Sequence, residues 1–214
     1  MTSLLKRKHS FDGVFDSQKV FRLLLEALSY PLRTLDLSEC TSKVADMVPL
    51  EGDAAGAQSA MLVIAMALLD TEVTFAVVGK TALAEDLLAE DIAQLTLARE
   101  VEVADADYLF VCQGGDLTAT VEHAKCGTLA DPHKSATLIV EDSGAQDQKV
   151  ELYGPGINGQ LKVQLSARAK EALAARDGQH YEYPQGVDLL FVSAQSELFA
   201  IPRMVRAEEN SWLT

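Results

Sequence analysis

The chain has 214 residues, 48% of them hydrophobic and 23% charged, with a net charge of −14. That content supports one sizeable core over a single α/β domain spanning 1–214, and it argues against a disordered or disulfide-stapled chain. The acidic balance argues against a nucleic-acid partner, which needs a basic face to displace counterions, and against an anionic membrane surface; solubility alone also accounts for it.

The opening stretch "MTSLLKRKHSFDG" is basic but has no apolar segment behind it, so it does not read as a secretory signal. The apolar run 60–69 is too short to cross a bilayer. Three cysteines, Cys40, Cys112 and Cys126, form no C-x-x-C pair, as expected for a cytoplasmic protein.

Residues 17–31 read as an amphipathic helix capped by Ser17, with Val20, Phe21, Leu24 and Leu28 inward and Pro31 as its stop. A short strand at 34–38 follows, then Gly52 and Gly56 lead into a helix (57–70) that is apolar all round and therefore buried. A β-branched strand at 72–78 precedes an amphipathic helix over 82–97 with an acidic outer face. Residues 107–114 read as another strand and 117–126 as a helix.

The second half reads as three successive strands (135–142, 148–154, 160–166), a helix within 167–181 that ends near Gly178, and a closing hairpin of 187–193 with 197–202. Ala194, Gln195 and Ser196 form its three-residue turn. Helices between early strands and a late strand meander predict a mixed β-sheet flanked by helices.

Three motifs invite chemistry. Gly154, Gly156 and Gly159 complete a G-x-G-x-x-G, but a strand, not a helix, follows, and Pro155 lacks an N–H. A tight turn between paired strands, with Gly154 or Gly156 at positive φ, is the better reading. "VVGKT" (77–81) resembles a P-loop end, but Thr74 stands where its first glycine belongs. His123 and Cys126 have helical i, i+3 spacing, yet two ligands do not make a metal site, so no metal and no cofactor are expected. His133, in a loop after Pro132, is a candidate ligand contact, though an exposed loop histidine is the plainer reading.

Four segments together resemble a known family: "FRLLLEALSYP" (21–31), "GTLADPHKSATLIV" (127–140), "YGPGI" (153–157) and "YPQGVDLLFVSAQSELFAIPR" (183–203). In order and spacing they are similar to the H subunit of the bacterial carbon–phosphorus lyase system, from about residue 14 to residue 208. The resemblance implies a fold like the pyridoxal-phosphate-dependent transferases without their cofactor site, self-association as a homodimer, and a core assembly with the G, I and J subunits. It also implies a part in coupling an alkylphosphonate to ribose C1 of a nucleoside triphosphate, with catalysis chiefly in the I subunit. A stand-alone small-molecule-binding transferase using the cleft of the same fold is the competing expectation.

The resemblance transfers no catalytic residue. The candidate ligand contacts are Arg203, Gly154, Gly156 and His133: a guanidinium near the glycine turn suits a phosphate or phosphonate, and an interface salt bridge suits it equally. Asp188, after a turn glycine, reads as a turn or interface hydrogen-bonding group. One departure stands out. Leu32 occupies the place after Pro31 where the family usually has glycine, which puts a tight turn there in doubt.

Overall fold

The structure is a computed structural model that describes residues 9–47 and 53–208; the basic stretch before residue 9, Gly52 and the last six residues lie outside it. In chain order the elements are α1 (Phe15–Ser29), β1 (Leu35–Asp36), α2 (Ser38–Thr41), α3 (Asp53–Leu68), β2 (Thr74–Val78), α4 (Ala82–Thr96), β3 (Arg99–Glu100) and β4 (Tyr108–Val111). Then follow α5 (Leu117–His123), β5 (Thr137–Glu141), β6 (Gln148–Tyr153), β7 (Leu161–Leu165), α6 (Ala167–Asp177), β8 (Asp188–Val192), β9 (Glu197–Ile201) and β10 (Arg206–Ala207).

The main sheet has seven strands in the order β1-β9-β8-β5-β4-β2-β3. From β3 to β8 the pairings are parallel, whereas β8–β9 and β9–β1 are antiparallel, so the sheet is mixed as expected. The central strands "FAVV", "YLFV", "TLIVE" and "LLFV" are apolar on both faces, as strands covered on both sides must be. Alternation sorts their side chains. Phe75, Phe110, Ile139, Leu190 and Val192 pack under α1, α3 and α4, while Leu109, Val111, Leu138, Val140, Leu189 and Phe191 face α5, α6 and a second sheet. Phe75 and Phe110 meet edge to face at 6.4 Å, and Phe191 stacks on Phe199 at 4.8 Å.

α3 is buried as its composition requires: Ala57 and every residue from Ala60 to Ala65 are inaccessible or nearly so. Gly56 lies within its first turns because a Cβ there would stand 1.9 Å from the Ala194 carbonyl oxygen of the β8–β9 turn. That turn has the expected three residues. Ser193 N–H donates to Glu197 O at 2.9 Å, and Ser196 takes the left-handed conformation, φ 62°.

Three expectations needed correction. The cap of α1 is Asp12, not Ser17: its carboxylate accepts from the N–H groups of Val14 and Phe15 at 2.8 Å, and Asp16 accepts from Asp12 N–H at 2.7 Å. Ser17 sits inside the helix and donates to Met66 O at 3.3 Å. Phe21 is 45% exposed while Val20, Leu24 and Ala27 are buried, so the apolar stripe wraps further round α1 than a single core face. The late strands also do not share one sheet. β5 joins the parallel core, whereas β6 and β7 pair with the unforeseen β10 in a three-stranded antiparallel sheet, order β10-β6-β7.

The glycine loop links β6 to β7, so a strand follows it. Gly154, Gly156 and Gly159 all have positive φ, at 138°, 85° and 79°. Leu32 also has positive φ, 66°. The turn after α1 thus forms with leucine holding a conformation that costs about 1–2 kcal/mol. It is fixed by Leu32 N–H donating to Ala200 O at 3.0 Å. Among the described residues no helix is long and apolar enough to cross a membrane.

Candidate functional site

The four sequence segments that carry the family resemblance meet in space. Gly156 lies against Pro31 and the Ser29 carbonyl, where a Cβ would approach Pro31 Cδ to 2.7 Å. Gly154 lies against Met204 and Val205, 2.6 Å from the Met204 oxygen on the same measure. Gln185 Nε2 donates to Gly127 O at 2.9 Å, and Gly186 N–H donates to Cys126 O at 3.0 Å. Gly127 and Gly154 leave no room for a Cβ beside neighbouring backbone, and Gly156 none beside the Pro31 ring.

Arg203 closes this junction. Its Nε donates to Asp188 Oδ2 at 3.0 Å and its Nη2 reaches the same oxygen, while Asp188 Oδ1 accepts from Arg203 N–H at 2.8 Å. Nη1 donates to Pro132 O at 2.7 Å. The guanidinium thus ties the start of β8 to the loop before β5. His133 follows Pro132 in a short 3-10 turn and is exposed. Of the four candidate contacts, Arg203, His133 and Gly154 fall in one region, and Gly156 faces the end of α1 instead.

A second arginine fixes the segment that carries Arg203. Arg176, on α6, is fully buried. It donates to Ile201 O and Pro202 O at 3.1 Å each, to Val205 O, and through Nε to Asp177 Oδ1 at 3.0 Å. Asp177 also holds Arg206 Nη1 at 3.1 Å and Ala207 N–H at 2.8 Å, so α6 orders the chain from β9 into β10. Nothing in the sequence distinguished Arg176 from the other charges of a helix that reads as amphipathic.

The opposite end of the sheet has the geometry that open α/β sheets use for ligands. In sequence order the five parallel strands are arranged second-first-third-fourth-fifth, so the winding reverses between β2 and β4, and crevices form outside carboxyl ends at such reversals. Here the loop after β2 meets the loop after β4 directly. A Cβ on Gly114 would lie 3.1 Å from Lys80 Cβ, and one on Gly115 would lie 2.7 Å from Val78 O. Glu141, at the end of β5, is buried and accepts from Gln113 N–H at 2.9 Å. Burial pushes its carboxyl above the ordinary range, against the pull of the Gln113 N–H and the Arg168 charge. Arg168, on α6, crosses these ends. It donates to Glu141 O at 2.9 Å, Gly115 O at 3.3 Å and Cys112 O at 2.6 Å.

One residue beyond Glu141, Asp142 turns to the other side and lines a cavity of about 350 Å³ between β9, β7 and the turn at Leu32. Sequence reading passed over Glu141, Asp142 and Arg168. The available signal was "ED" placed directly after the apolar run "LIV", two acids at the carboxyl end of a buried strand. His123 and Cys126 do not share a helical face: α5 ends at His123, whose Nδ1 lies 2.8 Å from Ala119 O, and Cys126 is in an extended bridge with Ser135. No group of three or more His, Cys, Asp or Glu that could hold a metal ion exists among the described residues.

A family model described as bacterial phosphonate metabolism protein (PhnH) matches residues 9–208. The chain belongs to the PhnH family. The matched span takes in each of the four resemblance segments and both arginine clamps, so the junction that Arg203 and Arg176 hold together lies wholly inside the family's domain. A protein provisionally named C-P lyase subunit protein HtxG, from Stutzerimonas stutzeri, is 28% identical over 190 residues, covering 87% of this chain and 83% of that protein.

Proposed function

We propose that this chain is a subunit of the carbon–phosphorus lyase core assembly, supporting the transfer of an alkylphosphonate to ribose C1 of a nucleoside triphosphate. The observation that carries the reading is the PhnH family match over residues 9–208, joined by the similarity to HtxG over most of both chains. The chain's part is accessory and structural. The charged groups around the two arginine clamps are bonded to one another and to backbone carbonyls, which suits a rigid scaffold better than a proton-transfer site.

In this reading the chain works in the cytoplasm, pairs with a second copy of itself and docks on the G, I and J subunits, and its fold is a transferase-like one adapted to assembly. The outer side of α1 supports docking. Val14, which directly precedes α1, and Phe21 and Leu25 on it, at i, i+7 and i+11, are exposed at 72%, 45% and 49%, while the helix's other face already fills the core. Large apolar side chains aligned on one exposed helix face mark interaction surfaces more often than isolated ones do. A direct phosphonate contact by Arg203, with His133 and Gly154 in the same region and Gly156 set apart from it, belongs to this reading as well, through guanidinium N–H groups left over from Asp188 and Pro132.

The test is reconstitution. The other subunits, a nucleoside triphosphate and methylphosphonate are combined with and without this chain, and release of the free base is followed. Loss of base release on omission, restored by adding the chain back, is expected. Base release at an unchanged rate without the chain overturns the proposal.

A further inference from the structure

We infer that Asn158 is a site of spontaneous covalent modification, where the side-chain amide is lost and the residue becomes a mixture of aspartate and isoaspartate. The reaction needs the next residue's backbone nitrogen to reach the asparagine Cγ, and a following glycine puts no Cβ in the way of that ring closure. In this chain Asn or Asp precedes glycine at three places: Asp12–Gly13, Asn158–Gly159 and Asp177–Gly178. Their surroundings separate them.

Asp12 caps α1, and the N–H groups of Phe15 and Val14 hold its carboxyl below the ordinary range. An ionised carboxylate resists attack by a nucleophile. Asp177 is engaged by Arg176 Nε, Arg206 Nη1 and Ala207 N–H, and Gly178 N–H donates to Ala174 O at 2.9 Å. Both pairs are locked. Asn158 is different. The turn that leaves β6 is closed by Ile157 N–H donating to Gly154 O at 3.1 Å, and the ladder resumes only where Leu161 of β7 pairs with Leu152. Asn158 and Gly159 lie between these two anchors, both exposed. Among the described residues, neither the Asn158 amide nor the Gly159 N–H has a hydrogen-bond partner. Gly159 has φ 79°, and a Cβ built on it meets no atom within 4 Å, so the ring has room to close.

The step needs only water and its hydroxide. Gly159 N gives up its proton and bonds to Asn158 Cγ; the Cγ–Nδ2 bond breaks, and Nδ2 takes up a proton and leaves as ammonia. Water then opens the cyclic imide. Cleavage of the bond between Cγ and nitrogen gives aspartate, and cleavage of the bond between the backbone carbonyl carbon and nitrogen gives isoaspartate. Either product adds one negative charge to a chain that carries −14, at the tip of the hairpin whose Gly156 packs on Pro31. Isoaspartate also lengthens the main chain by one carbon. The inference does not rest on the role in phosphonate metabolism and stands or falls separately.

The full chain is incubated for days at physiological temperature in mildly alkaline and in mildly acidic buffer, then digested with pepsin in acid and mapped by mass spectrometry. Isoaspartate is labelled with an isoaspartyl methyltransferase and radioactive S-adenosylmethionine. A gain of about one dalton in the peptide holding Asn158 is expected, with methyl label on the same peptide and a rate that rises with hydroxide. N158Q is expected to keep the parent's melting midpoint and to show neither the gain nor the label there. G159A is expected to slow the reaction about tenfold, because a methyl group then crowds the attacking nitrogen. An Asn158 peptide unchanged after alkaline incubation, a rate that ignores pH, an undiminished rate in G159A, or faster isoaspartate formation at Asp12 or Asp177 overturns the inference.

Discussion

Replacing Arg176 with methionine tests how the fold holds the segment from β9 to β10. The guanidinium is fully buried and makes four hydrogen bonds: to Ile201 O and Pro202 O at 3.1 Å, to Val205 O, and to Asp177 Oδ1 at 3.0 Å. Bonds from a charged donor contribute about 1.5–3 kcal/mol each, and recovering the desolvation of a buried ion offsets much of that sum. What remains is the cost of leaving three carbonyls without their donor and Asp177 with only Arg206 and Ala207, about 3–5 kcal/mol. For a chain of 214 residues, each kcal/mol moves the melting midpoint by about 2–4 °C, so R176M is expected to melt roughly 6–20 °C lower. Scanning calorimetry reads the shift, and hydrogen exchange is expected to show lost protection at Val205 and Ala207. A loss below about 1 kcal/mol, or a gain, would mean that a well-packed apolar side chain replaces the clamp, and the reasoning would be refuted.

Two further outcomes follow from the same geometry. Burial raises the Glu141 carboxyl above its ordinary 4.5, so its ionisation opposes folding at high pH, and the penalty vanishes below the unfolded value. E141Q is therefore expected to be more stable than the parent at pH 8 and equal to it near pH 4 in urea titrations; a pH-independent difference would contradict this. G56A puts a methyl 1.9 Å from Ala194 O, so the β8–β9 turn has to shift, at about 3 kcal/mol in urea unfolding. A wild-type midpoint in G56A would show that the contact between α3 and the turn is slack.

Much of the architecture is legible in the residues. Strands such as "LLFV" and "TFAVV" are apolar on both faces, and α3 is apolar all round, so periodicity and length alone place them in a layered core. The late strands were legible as strands but not as two sheets. The strand at 148–154 reads the same whether it pairs with β5 or with β10, and pairing is decided by long-range packing on α6. The cap of α1 was misplaced because Asp12 and Asp16 act together across five residues, whereas Ser17 only looks like a local cap. At the site, Arg203 was readable as an anion clamp or a salt-bridge group and Asp188 as a turn or interface hydrogen-bonding group, and the fold joins them to one another. The "ED" after the apolar strand marked Asp142 as an acid at a strand end but not its burial, because an acid in that place normally signals solvent.

Assembly tests the central claim most directly. The chain is co-expressed with the G, I and J subunits, one of them tagged, alongside a variant carrying Phe21→Glu and Leu25→Glu. Recovery of the parent chain in fixed proportion with the tagged subunit is expected, with the double variant folded to the same melting midpoint but absent from the complex. Assembly of the other subunits with the parent chain left behind would contradict its place in the lyase core.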